Sequence, residues 1–299
     1  MTRRAGPGPA GEDEGVEGVD IILAMRNDLL RALMRPAGER RWAMLIDLRR
    51  CTSCKACTAG CVAERKSPPG VVYRPVYEEE TGTFPDVKRR FTPRPCQQCD
   101  NPPCVEACPN KGEGKATWKS TKGESAGIVM INYEQCIGCG RCVVACPYKA
   151  RTLDAGYLYT EGTPKEEEYE KSPNWEYGRK WPRQKLHIPV GNARKCHFCI
   201  HRLKNGMVPM CVSTCICRAN YFGDPADKDS LIHKVLKENK TRVLTEVASK
   251  GEVKLKFADL RGKSPSDIAE KVGYPGTTPS FAETSKNKPR VYYILPESR

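Results

Sequence analysis

Sixteen of the seventeen cysteines in this 299-residue chain fall into four groups of four, and each group is a candidate set of metal ligands. We call these groups quartets 1 to 4. They are Cys51, Cys54, Cys57 and Cys61; Cys96, Cys99, Cys104 and Cys108; Cys136, Cys139, Cys142 and Cys146; and Cys196, Cys199, Cys211 and Cys215. Thiolates at such short intervals bind iron or zinc, so the sequence predicts several metal centres.

Quartet 3, which is followed by Pro147, has the C-x2-C-x2-C-x3-C-P spacing of the bacterial [4Fe–4S] ferredoxins. Two residues between thiolates let one short loop wrap a cubane and present three sulfurs to three irons. In two-cluster ferredoxins the last cysteine of each run ligates the other cluster, so the runs exchange ligands in pairs. Four quartets therefore predict four [4Fe–4S] clusters, with Cys217 left over and given no role.

Two other uses of cysteine fit this pattern less well. Four-cysteine zinc sites normally combine two C-x2-C pairs separated by a longer stretch, so a third cysteine two residues further on would be redundant. A disulfide scaffold suits a short secreted chain, whereas this chain is long enough to bury a core and has an odd number of cysteines.

Internal repetition indicates which quartets exchange ligands. Residues 45–48 precede quartet 1 as residues 130–133 precede quartet 3, and each stretch is predicted to be a short strand. Quartets 2 and 4 also match, although quartet 4 has eleven residues between its second and third cysteines where quartet 2 has four. The chain is therefore interpreted as two ferredoxin modules. The inner module, quartets 2 and 3, is inserted into the outer module, quartets 1 and 4.

Exchange within each module predicts four ligand sets, which we name clusters A to D. Cluster A has Cys51, Cys54, Cys57 and Cys215; cluster B has Cys61, Cys196, Cys199 and Cys211; cluster C has Cys96, Cys99, Cys104 and Cys146; cluster D has Cys108, Cys136, Cys139 and Cys142. The predicted fold class is α+β, with two nested bacterial-ferredoxin-like modules, each binding two [4Fe–4S] clusters, and with long loops and extended termini.

The nested quartets and four phrases resemble the four-cluster iron–sulfur subunit of the complex iron–sulfur molybdoenzymes, in the dimethyl sulfoxide reductase superfamily. The phrases are RWAMLIDLRRC at 41–51, CDNPPC at 99–104, CPYKAR at 146–151 and KCHFCIHRL at 195–203. They are most like the tetrathionate, thiosulfate and polysulfide reductase branch. The resemblance covers about residues 40–224 and recurs at the strand-like 289–295. The similar nitrate reductase branch has tryptophan where this chain has Cys139, so four complete cubanes are expected here.

The resemblance implies an electron-transfer subunit with no substrate site of its own. It would relay single electrons between a membrane quinone-linked subunit and a catalytic subunit that holds molybdopterin, in a reductase for sulfur compounds. Cluster A would then lie nearest the catalytic subunit and cluster D nearest the membrane donor. Two alternatives stay open: a free-standing polyferredoxin, or the same subunit in another respiratory molybdoenzyme that acts on arsenate, selenate or formate. Co-purification with a large subunit separates the first alternative from the main interpretation.

Composition argues against a membrane span and against nucleic-acid binding. Mean hydropathy is −0.59, and no stretch approaches the roughly 18 apolar residues that cross a bilayer. The formal charge of +14 falls to about +6 if each of four clusters contributes about −2. Arg3 and Arg4 are not followed by the apolar core of an export signal. We expect membrane association through partners, on the extracytoplasmic face by co-export with the catalytic subunit, with the cytoplasmic face as the alternative.

The sequence also predicts where the modules begin and end. Flexible residues 1–19 precede a docking helix over 20–35, and a further helix is expected over 228–239, before an irregular stretch over 250–288. The aromatic-rich connection between quartets 3 and 4 is either a loop laid across another subunit or an ordinary surface loop. His197 and His201, which flank Cys199, are expected beside a cluster or on the docking surface, not as ligands. The predicted segments are 1–40 (arm and docking helix), 41–90 (outer module, first part), 91–156 (inner module), 157–190 (aromatic-rich loop), 191–224 (outer module, second part) and 225–299 (C-terminal extension).

Overall fold

The computed structural model describes residues 20–183, 188–248 and 278–296. The flexible arm expected over 1–19 lies outside these ranges, and so does most of the irregular stretch expected over 250–288. The described end of that stretch is not irregular: residues 278–282 form a strand, because they pair with the strand over 242–248 in the central sheet.

Eight α-helices and thirteen strands occur in the described residues, and the mixture is that of an α+β protein. The helices are α1 Ile21–Met34, α2 Ala56–Arg65, α3 Pro103–Glu106, α4 Arg141–Val144, α5 Glu168–Lys171, α6 Ile200–Lys204, α7 Met210–Ser213 and α8 Leu231–Glu238. The strands are β1 Ala43–Asp47, β2 Val76–Thr81, β3 Lys88–Pro93, β4 Thr117–Lys119, β5 Val129–Ile131, β6 Thr152–Leu153, β7 Asn174–Glu176, β8 Arg179–Trp181, β9 Ala193–Arg194, β10 Asn220–Gly223, β11 Arg242–Ala248, β12 Thr278–Ala282 and β13 Val291–Ile294.

A five-stranded sheet in the order β10-β1-β13-β11-β12 forms the centre of the fold. Strand β1 leads into quartet 1 and pairs antiparallel with β10, which follows quartet 4, so that Leu45 lies opposite Tyr221. On its other side β1 pairs in parallel with β13, where Leu45 lies opposite Tyr292. All five residues of β1 are buried, as expected for a strand in the middle of a sheet. The sheet therefore holds quartets 1 and 4 side by side, although 134 residues separate Cys61 from Cys196.

Helix α1 packs on the body through its buried residues Met25 and Leu29. It begins where the Asp20 carboxylate accepts a hydrogen bond from the Ile22 amide at 2.7 Å, and it ends before Pro36. The helices expected over 20–35 and 228–239 are confirmed as α1 and α8, and the strands expected before quartets 1 and 3 are confirmed as β1 and β5. The expected closing strand is confirmed as β13.

Candidate metal centres

The four quartets share one backbone feature between their first and second cysteines. The residue just before the second cysteine has a left-handed conformation in every quartet, with φ of 58° at Ser53, 48° at Gln98, 65° at Gly138 and 53° at Phe198. Only glycine adopts this conformation without strain, and for the other residues it costs of order 1 kcal/mol each. A left-handed turn repeated at equivalent positions indicates that the four loops are shaped for a common purpose.

Two cavities are each lined by four quartet cysteines, three from one quartet and one from another. Cys108 of quartet 2 lines one cavity together with the first three cysteines of quartet 3, namely Cys136, Cys139 and Cys142. Cys215 of quartet 4 lines the other cavity together with the first three cysteines of quartet 1, namely Cys51, Cys54 and Cys57. In both cavities the last cysteine of one run thus joins the first three of another.

The remaining eight cysteines form two groups of the same kind. Burial raises the pKa of Cys61 well above its ordinary value, and Cys199, Cys196 and Cys211 raise it further because their thiolates lie nearby. Burial also raises the pKa of Cys99, with further contributions from its neighbours Cys96, Cys146 and Cys104. Each sequence-predicted ligand set is therefore brought together in one place in the fold.

Cysteines of neighbouring groups also lie close to one another. In addition to the larger effect of burial, Cys57 raises the pKa of Cys211, Cys96 raises that of Cys196, and Cys104 raises that of Cys142. We name each set of four cysteines after its predicted cluster, as groups A to D. The first pair then joins groups A and B, the second joins B and C, and the third joins C and D. The four groups thus follow one another in a single series from A to D.

The last cysteine of quartet 3 and the last cysteine of quartet 4 each accept a hydrogen bond from a backbone amide. The Ala150 amide donates to the Cys146 sulfur at 3.4 Å, and the Ala219 amide donates to the Cys215 sulfur at 3.2 Å. In both cases the residue before the donor is left-handed, which aims the amide back at the thiol. Amide donors stabilise a thiolate over a thiol.

The buried thiols require a strong positive charge to ionise. Burial raises the pKa of Cys146 and Cys211 to about 12 and that of Cys196 to about 11. Metals bind the thiolate, so metal binding must displace these protons. Among the described residues, no three His, Cys, Asp or Glu side chains are arranged to hold a single metal ion. Groups A and D instead each surround a cavity, which fits the four separate irons of a cubane.

Comparisons with known proteins give the same cofactor. Two family models described as "4Fe-4S dicluster domain" match the chain, one over residues 43–109 and the other over 87–160 and 182–225. One subunit of the selenate reductase of Mesobacillus selenatarsenatis is 52% identical over 233 residues, which cover 78% of this chain and 77% of that protein. One subunit of the tetrathionate reductase of Salmonella typhimurium is 33% identical over 207 residues, which cover 69% of this chain and 66% of that protein.

A third relative, the arsenate respiratory reductase iron–sulfur subunit of Shewanella sp., is 31% identical over 229 residues, which cover 71% of this chain and 93% of that protein. The chain belongs to the family of iron–sulfur subunits of the molybdoenzyme reductases. As a member of this family it is an electron-transfer subunit that carries four [4Fe–4S] clusters. When bound, such clusters supply one-electron transfer.

The seventeenth cysteine of this iron–sulfur subunit lies beside the cysteines of group A. Cys217 lines the same cavity as the four cysteines of group A, and its sulfur is 3.4 Å from the Thr52 hydroxyl. Its position was not apparent from sequence, because it falls outside every run. The two histidines contact protein groups: His201 faces the Glu64 carboxylate at 2.6 Å, and the buried His197 accepts from the Ile200 amide at 3.1 Å.

A buried polar network that sequence reasoning missed connects the segments around three of the quartets. Glu176 of β7 accepts hydrogen bonds from the Tyr73 hydroxyl at 2.8 Å and the Tyr133 hydroxyl at 2.5 Å. It also pairs with Arg194 at 2.9 Å, and Arg194 pairs with Asp154 at 2.7 Å. We call Glu176 and these partners the Glu176 network. Sequence reasoning could have found this network only by predicting that Glu176 is buried. The sequence around Glu176 does not predict burial.

Part of the aromatic-rich connection over residues 157–190 packs against the rest of the iron–sulfur subunit. It contains α5 and the β7–β8 hairpin, and Trp181 packs edge-on against Tyr133 with ring centroids 5.1 Å apart. Tyr159, Tyr169 and Trp175 are exposed instead. The sequence predicted a loop here. The structure instead shows a segment with a helix and a hairpin, which is packed on the body through Trp181 and exposes other aromatic side chains. Among the described residues, no helix is long and apolar enough to cross a membrane.

Proposed function

We propose that this subunit relays single electrons between a quinone-linked membrane subunit and a molybdopterin-containing catalytic subunit. The observation that carries the proposal is the order of the cysteine groups, which follow one another from A to D and differ in burial. All four cysteines of group C are buried, whereas Cys54 of group A is exposed and three of the four in group D are half-buried. A relay needs its two ends accessible and its middle shielded from solvent.

Large apolar side chains are exposed beside both ends of this series. Ile216, next to Cys215, is 72% exposed. Ile137, next to Cys136, is 70% exposed, and Val144 of the same loop is also exposed. Exposed apolar residues beside functional groups are typical of partner interfaces. We assign the group A end to the catalytic subunit and the group D end to the membrane subunit, following the family resemblance.

The ligand sets are those of two nested ferredoxin modules. Clusters A and B belong to the outer module, over residues 41–90 and 191–224, and clusters C and D belong to the inner module, over 91–156. The shared cavities described above support the exchange of last cysteines within each pair of quartets. Residues 157–190 would contribute their exposed aromatic surface to a subunit contact.

For the catalytic partner we propose a selenium oxyanion as substrate. The selenate reductase relative is 52% identical to this chain, whereas the tetrathionate reductase relative is 33% identical. This difference favours selenate over the sulfur compounds that the sequence motifs suggested. Reduction of selenate and of tetrathionate by the purified complex, with a reduced dye as donor, decides between them. Faster turnover of tetrathionate would contradict the assignment.

For location we propose attachment to the extracytoplasmic face through the partner subunits. The placement rests on the resemblance, in which the folded complex is exported with the catalytic subunit. Protease treatment of intact spheroplasts should then degrade this chain, and full protection until lysis would place it on the cytoplasmic face.

The relay is tested by breaking it at one end. Cys139→Ser should abolish quinol-driven turnover, while a dye that enters nearer the catalytic subunit still supports substantial activity. Cys217→Ser is the matched control, because Cys217 is outside the four ligand sets. Equal loss of both activities in a fully assembled Cys139→Ser complex would contradict the order of the series. Purification of the chain without any large subunit would favour the free-standing polyferredoxin.

A further inference from the structure

Besides Arg65, which faces group B and Glu176, three cations are buried where two cysteine groups meet. Arg74 and Arg151 are 1% exposed and Lys195 is fully buried. Within the described residues, none of them pairs with a carboxylate. An unpaired buried charge costs several kcal/mol, and a protein retains one only where a compensating charge lies nearby.

The protein groups around the two arginines are neutral. Arg74 donates to the Asn220 side-chain oxygen and to the Met44 sulfur, and Arg151 donates to the Thr117 hydroxyl at 2.8 Å. In the described structure the Nε atoms of both arginines are buried without a protein acceptor. Arginine remains protonated at any ordinary pH, so both side chains carry a full charge and a spare donor.

Arg74 lies where groups A and B meet. Its guanidinium lies close to Cys211 of group B and Cys57 of group A. Its hydrogen-bond partner Asn220 lines the group A cavity and donates to the Cys211 carbonyl oxygen at 3.1 Å. Cys57 and Cys211 are also the two thiols through which these groups interact. One positive charge thus faces a ligand of each group.

Arg151 occupies the equivalent place between groups C and D. It lies close to Cys104 of group C and to Cys142 of group D. It also lines the cavity formed by the four cysteines of group D. Arg151 thus lies where groups C and D approach each other, through Cys104 and Cys142.

Lys195 lies in the remaining gap, between groups B and C. Its ammonium donates to the Cys196 carbonyl oxygen at 2.8 Å. Cys196 of group B and Cys96 of group C are both among its close neighbours. Each of the three junctions in the series therefore contains one buried cation.

We propose that Arg74, Lys195 and Arg151 are electrostatic bridges, each serving as the shared counterion of two successive clusters and favouring their reduction. The proposal rests on the ligand sets of the proposed function. A cubane with four thiolates carries about −2 when oxidised and about −3 after accepting an electron. A cation between two such sites stabilises the added electron on either side and weakens the repulsion between them, strongly so in a buried, low-dielectric setting.

Redox titration followed by EPR spectroscopy tests this proposal without using turnover. Arg74→Gln should lower the equilibrium constant for one-electron reduction of clusters A and B about tenfold or more, or ~59 mV in potential, and leave C and D unchanged. Arg151→Gln should lower the constants of C and D and leave A and B unchanged. Arg40→Gln is the matched control, because Arg40 is also buried but hydrogen-bonds the Gly123 carbonyl.

Each variant is compared at its full iron content of about sixteen irons per chain. Arg74→Lys and Arg151→Lys keep the charge and should keep potentials close to those of the wild type. If a glutamine variant loses iron, the volume-conserving Arg→Met change replaces it. Iron loss from every neutral variant, with full iron in the lysine variant, would also show that the positive charge is required.

Unchanged potentials in neutral variants that hold all their iron would overturn the proposal. A lysine variant shifted as far as the glutamine variant would also overturn it, because hydrogen-bond geometry would then matter instead of charge. The proposed function would survive both results, since it fails only if the chain does not carry electrons between its partners.

Discussion

Replacing Glu176 by glutamine should destabilise the subunit far more than the same change at an exposed carboxylate. The side chains of Glu176 and Arg194 are fully buried, Arg194 and Arg183 both pair with Asp154, and the buried Arg65 also lies close to Glu176. Glu176→Gln therefore removes the carboxylate that compensates Arg194 and Arg65. Breaking a buried ion pair costs about 3–5 kcal/mol. We expect a value near the lower end of that range, because Asp154 still contacts Arg194.

Thermal unfolding of the iron-loaded chain, followed anaerobically by circular dichroism at one scan rate, measures this effect. A loss of about 3 kcal/mol corresponds to roughly 6–12 °C in the unfolding midpoint for a chain of about this size. Glu134→Gln is the control, since Glu134 pairs with Arg179 at 2.6 Å but both side chains are about half exposed. Such a surface pair contributes only about 0–1 kcal/mol. Equal shifts in the two variants would refute the reasoning that the Glu176 network fixes the connection to the body.

Three further outcomes are expected. Gly60→Ala should lower stability by about 1–3 kcal/mol in thermal unfolding, because its Cβ would lie 2.8 Å from the Thr214 methyl group, whereas Gly38→Ala, with open space around it, should change little. Cys217→Ala should retain about sixteen irons, since four other cysteines line its cavity, and loss of iron would make Cys217 a ligand. Removing iron with a chelator under reducing conditions should make the quartet loops sensitive to protease, because buried thiols around emptied sites no longer hold the loops together; unchanged protease resistance would contradict this.

Local sequence patterns predicted the parts of the fold that depend on neighbouring residues. The spacing within each quartet predicted the cysteine-bearing loops, and apolar periodicity predicted α1 and α8. Short apolar runs predicted β1, β5 and β13. In each case the determining residues lie within about twenty positions of one another, so the pattern is visible in the chain itself.

Contacts between distant segments could not be predicted in this way. The parallel pairing of β1 with β13 joins residues more than 240 positions apart, and no local pattern specifies it. Arg74 belongs to no motif, and its place between two cysteine groups becomes visible only in the folded chain. The connection was predicted as a loop because its composition is polar and aromatic, whereas Trp181 is buried by packing against Tyr133.

The crossed ligation of quartets 2 and 3 tests the central claim of four clusters in one series most directly. Cys108 lines the cavity of Cys136, Cys139 and Cys142, although it is nearer in sequence to the cysteines of cluster C. EPR spectroscopy of the anaerobically purified Cys108→Ser variant, with Cys146→Ser as its reciprocal, distinguishes the two clusters. We predict that Cys108→Ser alters or removes the cluster D signal and preserves that of cluster C, and that Cys146→Ser does the reverse. Loss of the cluster C signal in Cys108→Ser, with cluster D intact, would contradict the account.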